Sequence, residues 1–144
     1  MNILVTGGAG YIGSHTCKAL VLAGHDVVVF DNLSTGWRDL VKFGTFVYGD
    51  IRDTQSLRKV FRQYKIDAVF HFAAKAYVGE SVENPALYYS NNVCGTLSLL
   101  EAMRDECVGK IVVSGTCAVY GNAGSVPINE DCLLYTSLYF ARLM

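Results

Sequence analysis

Short runs of apolar residues alternate along the chain with segments whose apolar positions recur every three or four residues. Five of the runs are rich in β-branched or aromatic side chains, which predicts buried strands. They span residues 3–5, 27–30, 46–48, 68–72 and 110–114. Because these runs are continuously apolar, they are typical of a parallel sheet that is covered by helices on both faces.

Three segments between the strands have helical spacing. The first, 12–23, is followed by Gly24 as a stop, the second follows Asp53 as an N-cap, and the third begins at Asn84 and Pro85. Their apolar stripes are Ile12, Thr16, Ala19, Leu20 and Ala23; Leu57, Val60, Phe61 and Tyr64; and Tyr89, Val93, Leu97 and Leu100. We interpret the second stripe as core packing and each of the others as one helix face. Segments 32–43 and 73–83 are predicted to be loops.

A glycine-rich turn joins the first predicted strand to the first helix. Gly7, Gly10 and Gly13 lie in Val-Thr-Gly-Gly-Ala-Gly-Tyr-Ile-Gly, and the motif G-x-G-x-x-G begins at Gly8. Glycine lets such a turn form and lets the backbone approach a pyrophosphate, which the helix N-terminus then faces. The second strand ends at Asp31, 18 residues after Gly13 (31 − 13), close to the spacing of about 20 for a ribose-binding acid. This context favours a dinucleotide site over a plain glycine-rich turn.

The predicted fold class is α/β, a Rossmann-like doubly wound parallel sheet with helices on both faces. Right-handed crossovers and a glycine turn on the first strand predict the strand order 3-2-1-4-5. Ligands of such sheets bind beyond the carboxyl ends of the strands. The predicted strand ends that meet at this edge are Thr6-Gly7, Asp31-Asn32, Asp50-Ile51, Phe72-Ala73-Ala74 and Ser114-Gly115-Thr116.

Composition narrows the possible partners and the compartment. The 144 residues carry a formal net charge of −1 with no basic block, which argues against a nucleic acid or an anionic membrane as a partner. The sequence enters a strand directly after its first residues, so we expect no targeting segment. The five cysteines include no Cys-x-x-Cys pair. They predict buried or half-buried free thiols in the cytoplasm, and we expect no metal site.

Several motifs together resemble a known family. They are the glycine turn continued to Ser14-His15, Asp31-Asn32-Leu33, Gly49-Asp50-Ile51-Arg52-Asp53, His71-Phe72-Ala73-Ala74, Val78-Gly79-Glu80-Ser81-Val82, Tyr88-Tyr89-Ser90-Asn91-Asn92-Val93 and Ala118-Val119-Tyr120-Gly121. Over roughly residues 1–130 the chain resembles the extended short-chain dehydrogenase/reductases, and within them the UDP-glucose 4-epimerases. The resemblance implies NAD as the cofactor, a UDP-sugar as the substrate and a homodimer for the full-length protein.

The resemblance also implies a set of cofactor-binding residues. They are Gly7, Gly10, Tyr11, Ile12 and Gly13 at the pyrophosphate; Asp31 and Asn32 at the adenosine ribose; Asp50 and Ile51 at the adenine; Phe72, Ala73 and Ala74 along the middle; and Lys75 and Asn91. Lys75 is one position away from the lysine of the family pattern. Asn91 and Asn92 have poor helix propensity, which favours a role beyond helix formation over a solvated helix face.

The implied activity is epimerisation at C4 of a UDP-hexose through a transient 4-keto sugar, as in galactose metabolism. The family uses a Ser or Thr, a Tyr and a Lys four residues after that Tyr. Thr116 matches the first, and the alternative is a residue that merely ends a strand. The pair Tyr-x-x-x-Lys is absent, because no lysine follows Lys110. We therefore expect an inactive N-terminal fragment, with an incomplete NAD-binding domain over residues 1–131, an atypical tail over 132–144 of native or foreign origin, and no sugar-nucleotide domain.

Two other functions compete with this interpretation. Sugar-nucleotide 4,6-dehydratases of the same superfamily carry an Asp-Glu pair just after the active-site Thr, whereas Cys117 and Ala118 occupy those positions here. A cysteine and an alanine do not replace two carboxylates in acid–base chemistry. A non-catalytic dinucleotide-binding module would explain the missing Tyr-x-x-x-Lys, but it has no need of the Val78–Val82 motif.

Overall fold

The computed structural model describes residues 1–116, Tyr120, Pro127 and Ile128. The chain divides into two units, Met1–Ser114 and Gly115–Met144, and the elements below all belong to the first. Its strands are β1 (Asn2–Thr6), β2 (Asp26–Asp31), β3 (Thr45–Tyr48), β4 (Ala68–His71) and β5 (Ile111–Val113). Its helices are α1 (Tyr11–Leu22), α2 (Thr54–Tyr64), α3 (Val78–Glu83), α4 (Pro85–Tyr88) and α5 (Gly95–Asp105), with a 3₁₀ turn at Arg38–Leu40 and a π-helical turn at Tyr89–Cys94.

The five strands form one parallel sheet in the order β3-β2-β1-β4-β5. This order and the parallel pairing confirm the predicted doubly wound α/β fold. In the central register, Val5 of β1 lies opposite Val29 of β2 and Phe70 of β4. The crossover direction reverses at β1, so the ends of β1 and β4 border the crevice where ligands of such sheets bind.

Each face of the sheet packs against different helices. On one face Leu4, Phe30 and Val69 form a core with Leu57 of α2 and Leu99 of α5. On the other face Ile3, Val5, Val27 and Val29 pack with Cys17 of α1. Since successive residues of a strand point to opposite faces, each buried strand contributes to both cores.

Helix α2 follows its sequence prediction. The Asp53 carboxylate accepts hydrogen bonds from the backbone N–H groups of Gln55 and Ser56, both at 3.0 Å, which confirms the predicted N-cap. Three residues of the predicted stripe are buried, and Tyr64 packs against the same core. On the outer side Arg62 forms an ion pair of 2.8 Å with Glu106, just beyond α5.

Helix α1 presents the predicted face to the core only in part. Its buried residues are Gly13 and Cys17, and Leu20 packs beside them. Ile12, placed in the predicted stripe, is 59% exposed. The first half of the helix therefore meets its neighbours through the small residues Gly13 and Cys17, which a count of large apolar residues does not identify.

The third predicted helix exists but is not uniform. Asn84 caps it by accepting a hydrogen bond of 3.3 Å from the N–H of Leu87, and Pro85 is the first helical residue, as predicted. The π-helical turn separates α4 from α5. The predicted stripe is exposed, with Leu97 at 55%, whereas the core face carries Leu99, Ala102 and Met103. The segment 73–83, predicted to be a loop, contains α3.

The cysteine prediction is correct at one described position and wrong at two. Cys17 is buried, and burial raises the pKa of its thiol to about 12, so it stays protonated. Cys94 and Cys107 are free but exposed. Cys117 and Cys132 lie outside the described residues. Across the described part of the chain, no helix has the length and hydropathy needed to cross a membrane, and no group of three or more His, Cys, Asp or Glu side chains is arranged for a metal ion.

Candidate functional site

The glycine turn links β1 to α1 at the carboxyl edge of the sheet. Gly7 has φ of +74°, a left-handed conformation that suits glycine. The turn closes through a hydrogen bond of 3.1 Å from the Gly10 N–H to the Gly7 carbonyl. Gly10 is the N-cap of α1 and offers no side-chain oxygen to the first amides of the helix. Those amides are therefore available to an anion at the helix N-terminus.

The glycines of the turn are required for different reasons. A Cβ atom on Gly7 would lie 2.6 Å from the backbone N of Ala73, and one on Gly13 would lie 2.3 Å from the Gly7 carbonyl oxygen. Both distances are impossible, so the packing of the protein itself requires these two glycines. A Cβ on Gly10 would meet one atom among the described residues outside its immediate neighbours, the Gly7 oxygen at 3.3 Å. The space in front of Gly10 is therefore open toward the edge of the sheet.

Asp31 at the end of β2 is tied to this turn. Its carboxylate accepts hydrogen bonds from the backbone N–H of Ala9 at 3.0 Å and of Leu33 at 2.8 Å. The Ala9 carbonyl in turn accepts a hydrogen bond of 2.9 Å from the Trp37 N–H. The two bonds at Ala9 hold the loop after β2 against the glycine turn. Asp31 is only 9% exposed, so its carboxylate is largely shielded from bulk solvent.

A second carboxylate lies after β3. Asp50 receives both the Nε and Nη2 groups of Arg52, at 2.9 and 2.7 Å, and the Asn32 amide at 2.9 Å. The Arg52 guanidinium is the main reason that the pKa of Asp50 falls well below its usual range. The carboxylate is therefore charged at neutral pH. The Ile51 side chain is 4% exposed and belongs to the core, so Ile51 offers a ligand its backbone groups rather than its side chain.

The loop after β4 is held by the π-helical turn. The Asn92 amide accepts a hydrogen bond of 2.8 Å from the Lys75 N–H and donates one of 2.9 Å to the Lys75 carbonyl. Asn91 donates to Asn92 at 2.9 Å and to the Ala73 carbonyl at 3.5 Å. π-helical turns are rare and often occur at functional sites. Here the turn places the side-chain amides of Asn91 and Asn92 against the backbone of the loop after β4.

The loops after β1, β2 and β4 enclose a cleft of about 320 Å³ at the carboxyl edge of the sheet. Its lining residues are Gly10, Tyr11, Thr35, Trp37, Leu40, Ala74, Lys75, Ala76 and Tyr77. A wider depression of about 500 Å³ includes Asn2, His25 and Asp26 at the opposite edge. We place the candidate site in the smaller cleft, because parallel α/β sheets bind ligands beyond their carboxyl ends and the glycine turn lies there.

The comparison with known proteins agrees with this geometry. The model of the NAD dependent epimerase/dehydratase family matches residues 3–142. The chain belongs to this family. A similar member is the UDP-glucose 4-epimerase of Rhizobium meliloti (strain 1021), which is 54% identical over 130 residues, or 90% of this chain and 40% of that protein. The chain therefore spans about 40% of the length of that curated relative.

Solved structures of the epimerase/dehydratase family have the same fold. The UDP-glucose 4-epimerase of Brucella ovis in complex with NAD aligns with a TM-score of 0.80 at 48% identity, covering 99% of this chain and 46% of that one. The enzyme of Bifidobacterium longum in complex with NAD+ and UDP aligns with a TM-score of 0.78 at 34% identity, covering 99% and 48%. These likenesses agree with the resemblance inferred from the motifs.

The fold of this family member brings most of the predicted site residues to one edge of the sheet. Tyr11 and Ile12 begin α1 and are exposed beside the cleft, and Ala74 and Lys75 line it. Phe72 instead packs its ring toward the core on the α1 face. Thr116 belongs to the second unit, Gly115–Met144, and is exposed.

Sequence reasoning missed three residues that support the site. The sequence singles out Asn92 only through its poor helix propensity beside Asn91, whereas the structure shows that Asn92 holds the Lys75 backbone. Thr6 and His71 are buried polar residues inside strand runs. The one available signal was a polar residue within an apolar run, because their partners lie on other elements.

We expect Asn92→Asp to loosen the loop after β4 while α5 stays packed. The carboxylate keeps an acceptor for the Lys75 N–H but replaces the Nδ2 donor with an oxygen that repels the Lys75 carbonyl. The loss should be about 1–3 kcal/mol in unfolding free energy. Chemical denaturation measures it, and faster hydrogen exchange at the Lys75 amide reports the loop.

Asn84→Asp is the matched control for this variant. Asn84 caps α4 through its side-chain oxygen, and aspartate is an equally good N-cap. The same change of amide to carboxylate should therefore alter stability by less than about 0.5 kcal/mol. An equal effect of the two substitutions would contradict the role assigned to Asn92.

Proposed function

We propose that this chain is the NAD-binding part of a UDP-glucose 4-epimerase. The observation that carries the proposal is the open space in front of Gly10, which sits beside two glycines that packing requires. A side chain at position 10 would fill that space at little cost to the fold, so its absence is explained by a ligand that approaches the backbone. Family membership and the NAD-bound relatives support the identity of that ligand.

The residues around the cleft fit a dinucleotide. The turn at Gly7–Gly13 and the N-terminus of α1 would hold the pyrophosphate, and Asp31 would accept hydrogen bonds from ribose hydroxyls. Asn32, Asp50 and the Ile51 backbone would meet the adenosine end. Ala73 and Ala74 would line the middle of the cofactor, with Phe72 supporting them from the core, and Lys75 and Asn91 would reach the site beside them. NAD, when bound, would supply the capacity to accept a hydride and return it.

The whole protein would then act on a UDP-hexose in the cytoplasm, within galactose metabolism. Oxidation at C4 gives a 4-keto sugar, and reduction from the other face inverts that carbon. Thr116 would contact the sugar hydroxyl, by its match to the Ser/Thr of the family. Residues 1–131 would form the NAD-binding domain, with residues 132–144 an atypical tail, and the full-length protein would be a homodimer.

A second candidate is a non-catalytic dinucleotide-binding module. The observation in its favour is that no tyrosine within these 144 residues is followed four positions later by a lysine. Both candidates share the NAD site, and they differ in whether the full-length protein turns over a UDP-hexose.

We expect the chain to bind NAD at least about tenfold more tightly than NADP. In the proposed binding mode the Asp31 carboxylate would accept hydrogen bonds from the adenosine ribose and would repel a 2′-phosphate on it. Asp31→Asn removes the charge and keeps one acceptor oxygen for the turn, so the preference should narrow toward equality. Isothermal titration of each dinucleotide measures the two affinities.

Asp39→Asn is the matched control. Asp39 is exposed in the 3₁₀ turn of the same loop, and its substitution changes the net charge by the same amount. It should leave the preference unchanged. Tighter binding of NADP than of NAD to the unaltered chain would contradict the role assigned to Asp31. If the chain bound neither dinucleotide, the proposed function itself would be wrong.

A further inference from the structure

A line of polar side chains crosses the core between the sheet and α5. Thr6 of β1 is fully buried and His71 of β4 is 5% exposed. The Thr6 hydroxyl lies 2.7 Å from Nδ1 of His71, and Nε2 of the same ring lies 3.0 Å from the Thr96 hydroxyl of α5. The Thr96 hydroxyl also lies 2.7 Å from the Asn92 carbonyl oxygen.

The bonding capacity of Thr96 determines the tautomer of His71. A hydroxyl has one hydrogen, and a carbonyl oxygen can only accept, so Thr96 donates that hydrogen to the Asn92 carbonyl. Thr96 must then accept from His71, which places the ring hydrogen on Nε2. Nδ1 is left as an acceptor for the Thr6 hydroxyl. A neutral ring in the Nε2–H form therefore gives a hydrogen-bond partner to both ring nitrogens and to the hydroxyls of Thr6 and Thr96. Burial lowers the pKa of His71, which keeps the ring neutral at neutral pH.

This line joins the two halves of the candidate site. Thr6 directly precedes Gly7 of the glycine turn. At the other end, Asn92 holds the backbone of Lys75 through its side-chain amide, and Lys75 lines the cleft. Backbone pairing of β1 with β4 places Thr6 opposite His71, and the line adds a side-chain link from this pair to α5 and the loop after β4.

We propose that His71 is a positioning residue of the dinucleotide site, whose neutral ring fixes the spacing and orientation between the glycine turn and the loop at residues 73–77. The inference rests on the proposed NAD binding. It predicts that a ligand spanning both halves needs the line intact. A ligand confined to the turn and the end of β2 does not need it.

The test compares NAD with ADP on the 144-residue chain. Thr96→Val is close in shape to threonine and cuts the line at Nε2. It should weaken NAD about tenfold, the worth of one buried hydrogen bond, and change ADP affinity by less than about twofold. Thr96→Ser retains the hydroxyl and should restore NAD affinity. Thr16→Val is the control, because Thr16 makes the same bond to the carbonyl four residues earlier, on the outer part of α1, and should affect neither ligand.

Two outcomes would overturn the proposal. Equal weakening of NAD and ADP by Thr96→Val would show that the line only supports the fold. Nitrogen NMR of the ring at neutral pH should show the hydrogen on Nε2, and an Nδ1–H ring would refute the line itself. If the unaltered chain bound neither nucleotide, the proposed function would fail instead. The ring tautomer and the hydrogen exchange of Lys75 in Thr96→Val would then still decide whether the line holds that loop.

Discussion

Gly10→Val should abolish measurable NAD binding, a loss of at least about a hundredfold, in a chain that still folds. Gly10 has φ of −81° and ψ of 172°, an extended conformation that valine adopts readily. A Cβ there lies 3.3 Å from the Gly7 oxygen, so the turn must shift by only a few tenths of an ångström. The two γ carbons of valine would occupy the space that a pyrophosphate needs.

Isothermal titration with NAD and circular dichroism test this expectation together. Gly109→Val is the matched control, because a Cβ at Gly109 meets no described atom within 4 Å, and it should leave both readings unchanged. Gly13→Ala should instead lower the stability of the fold, because its Cβ would lie 2.3 Å from a backbone oxygen. A folded Gly10→Val protein with unchanged NAD affinity would contradict the phosphate-binding role of the turn.

The 144-residue chain should show no conversion of UDP-galactose to UDP-glucose. The proposed reaction needs a hydroxyl that acts as a base near neutrality, and an ordinary tyrosine has a pKa of about 10. In the family a lysine four residues after the tyrosine lowers that pKa. Tyr120, Tyr135 and Tyr139 have no lysine at that spacing.

Joining the chain to a C-terminal portion of a family member that supplies Tyr-x-x-x-Lys should give turnover. The matched control is the same fusion with that tyrosine replaced by phenylalanine, which should be inactive while binding NAD equally. Turnover by the 144-residue chain alone would show that the missing pair is not required. A folded, NAD-bound fusion that does not convert UDP-galactose would count against the epimerase assignment and favour the non-catalytic module.

The sequence predicted the sheet because its strongest signals are local. The strand runs, the glycine turn and the caps at Asp53 and Asn84 each lie within a few residues, and the right-handed crossover rule converts them into a strand order. The position of Asp31 follows in the same way, because the apolar run at residues 27–30 ends directly before it. For this reason the carboxyl edge of the sheet could be identified before any contact was known.

The errors arose where small or polar residues determine the packing. Helix α1 packs through Leu20, as predicted, but its fully buried residues are Gly13 and Cys17, which the predicted stripe does not contain. Beyond Asn84 the predicted stripe follows the exposed face of the helix, on which Leu97 and Leu100 lie, whereas the core face carries Leu99, Ala102 and Met103. The line from Thr6 through His71 to Thr96 joins three elements that are distant in sequence, and such pairings leave no periodic trace.

The π-helical turn also limits which insertions and deletions the chain can tolerate. Its wider hydrogen-bonded ring accommodates one residue more than an α-helical turn. Deleting one residue within Tyr89–Cys94 would give a regular helix, and the residues before the deletion would rotate by about 100° relative to α5. Because Leu99, Ala102 and Met103 anchor α5 in the core, the rotation would break the contacts of Tyr88 and Asn92 with the loop after β4. A regular α-helix in place of the π-helical turn would therefore lose the hydrogen bonds that hold the backbone of Lys75.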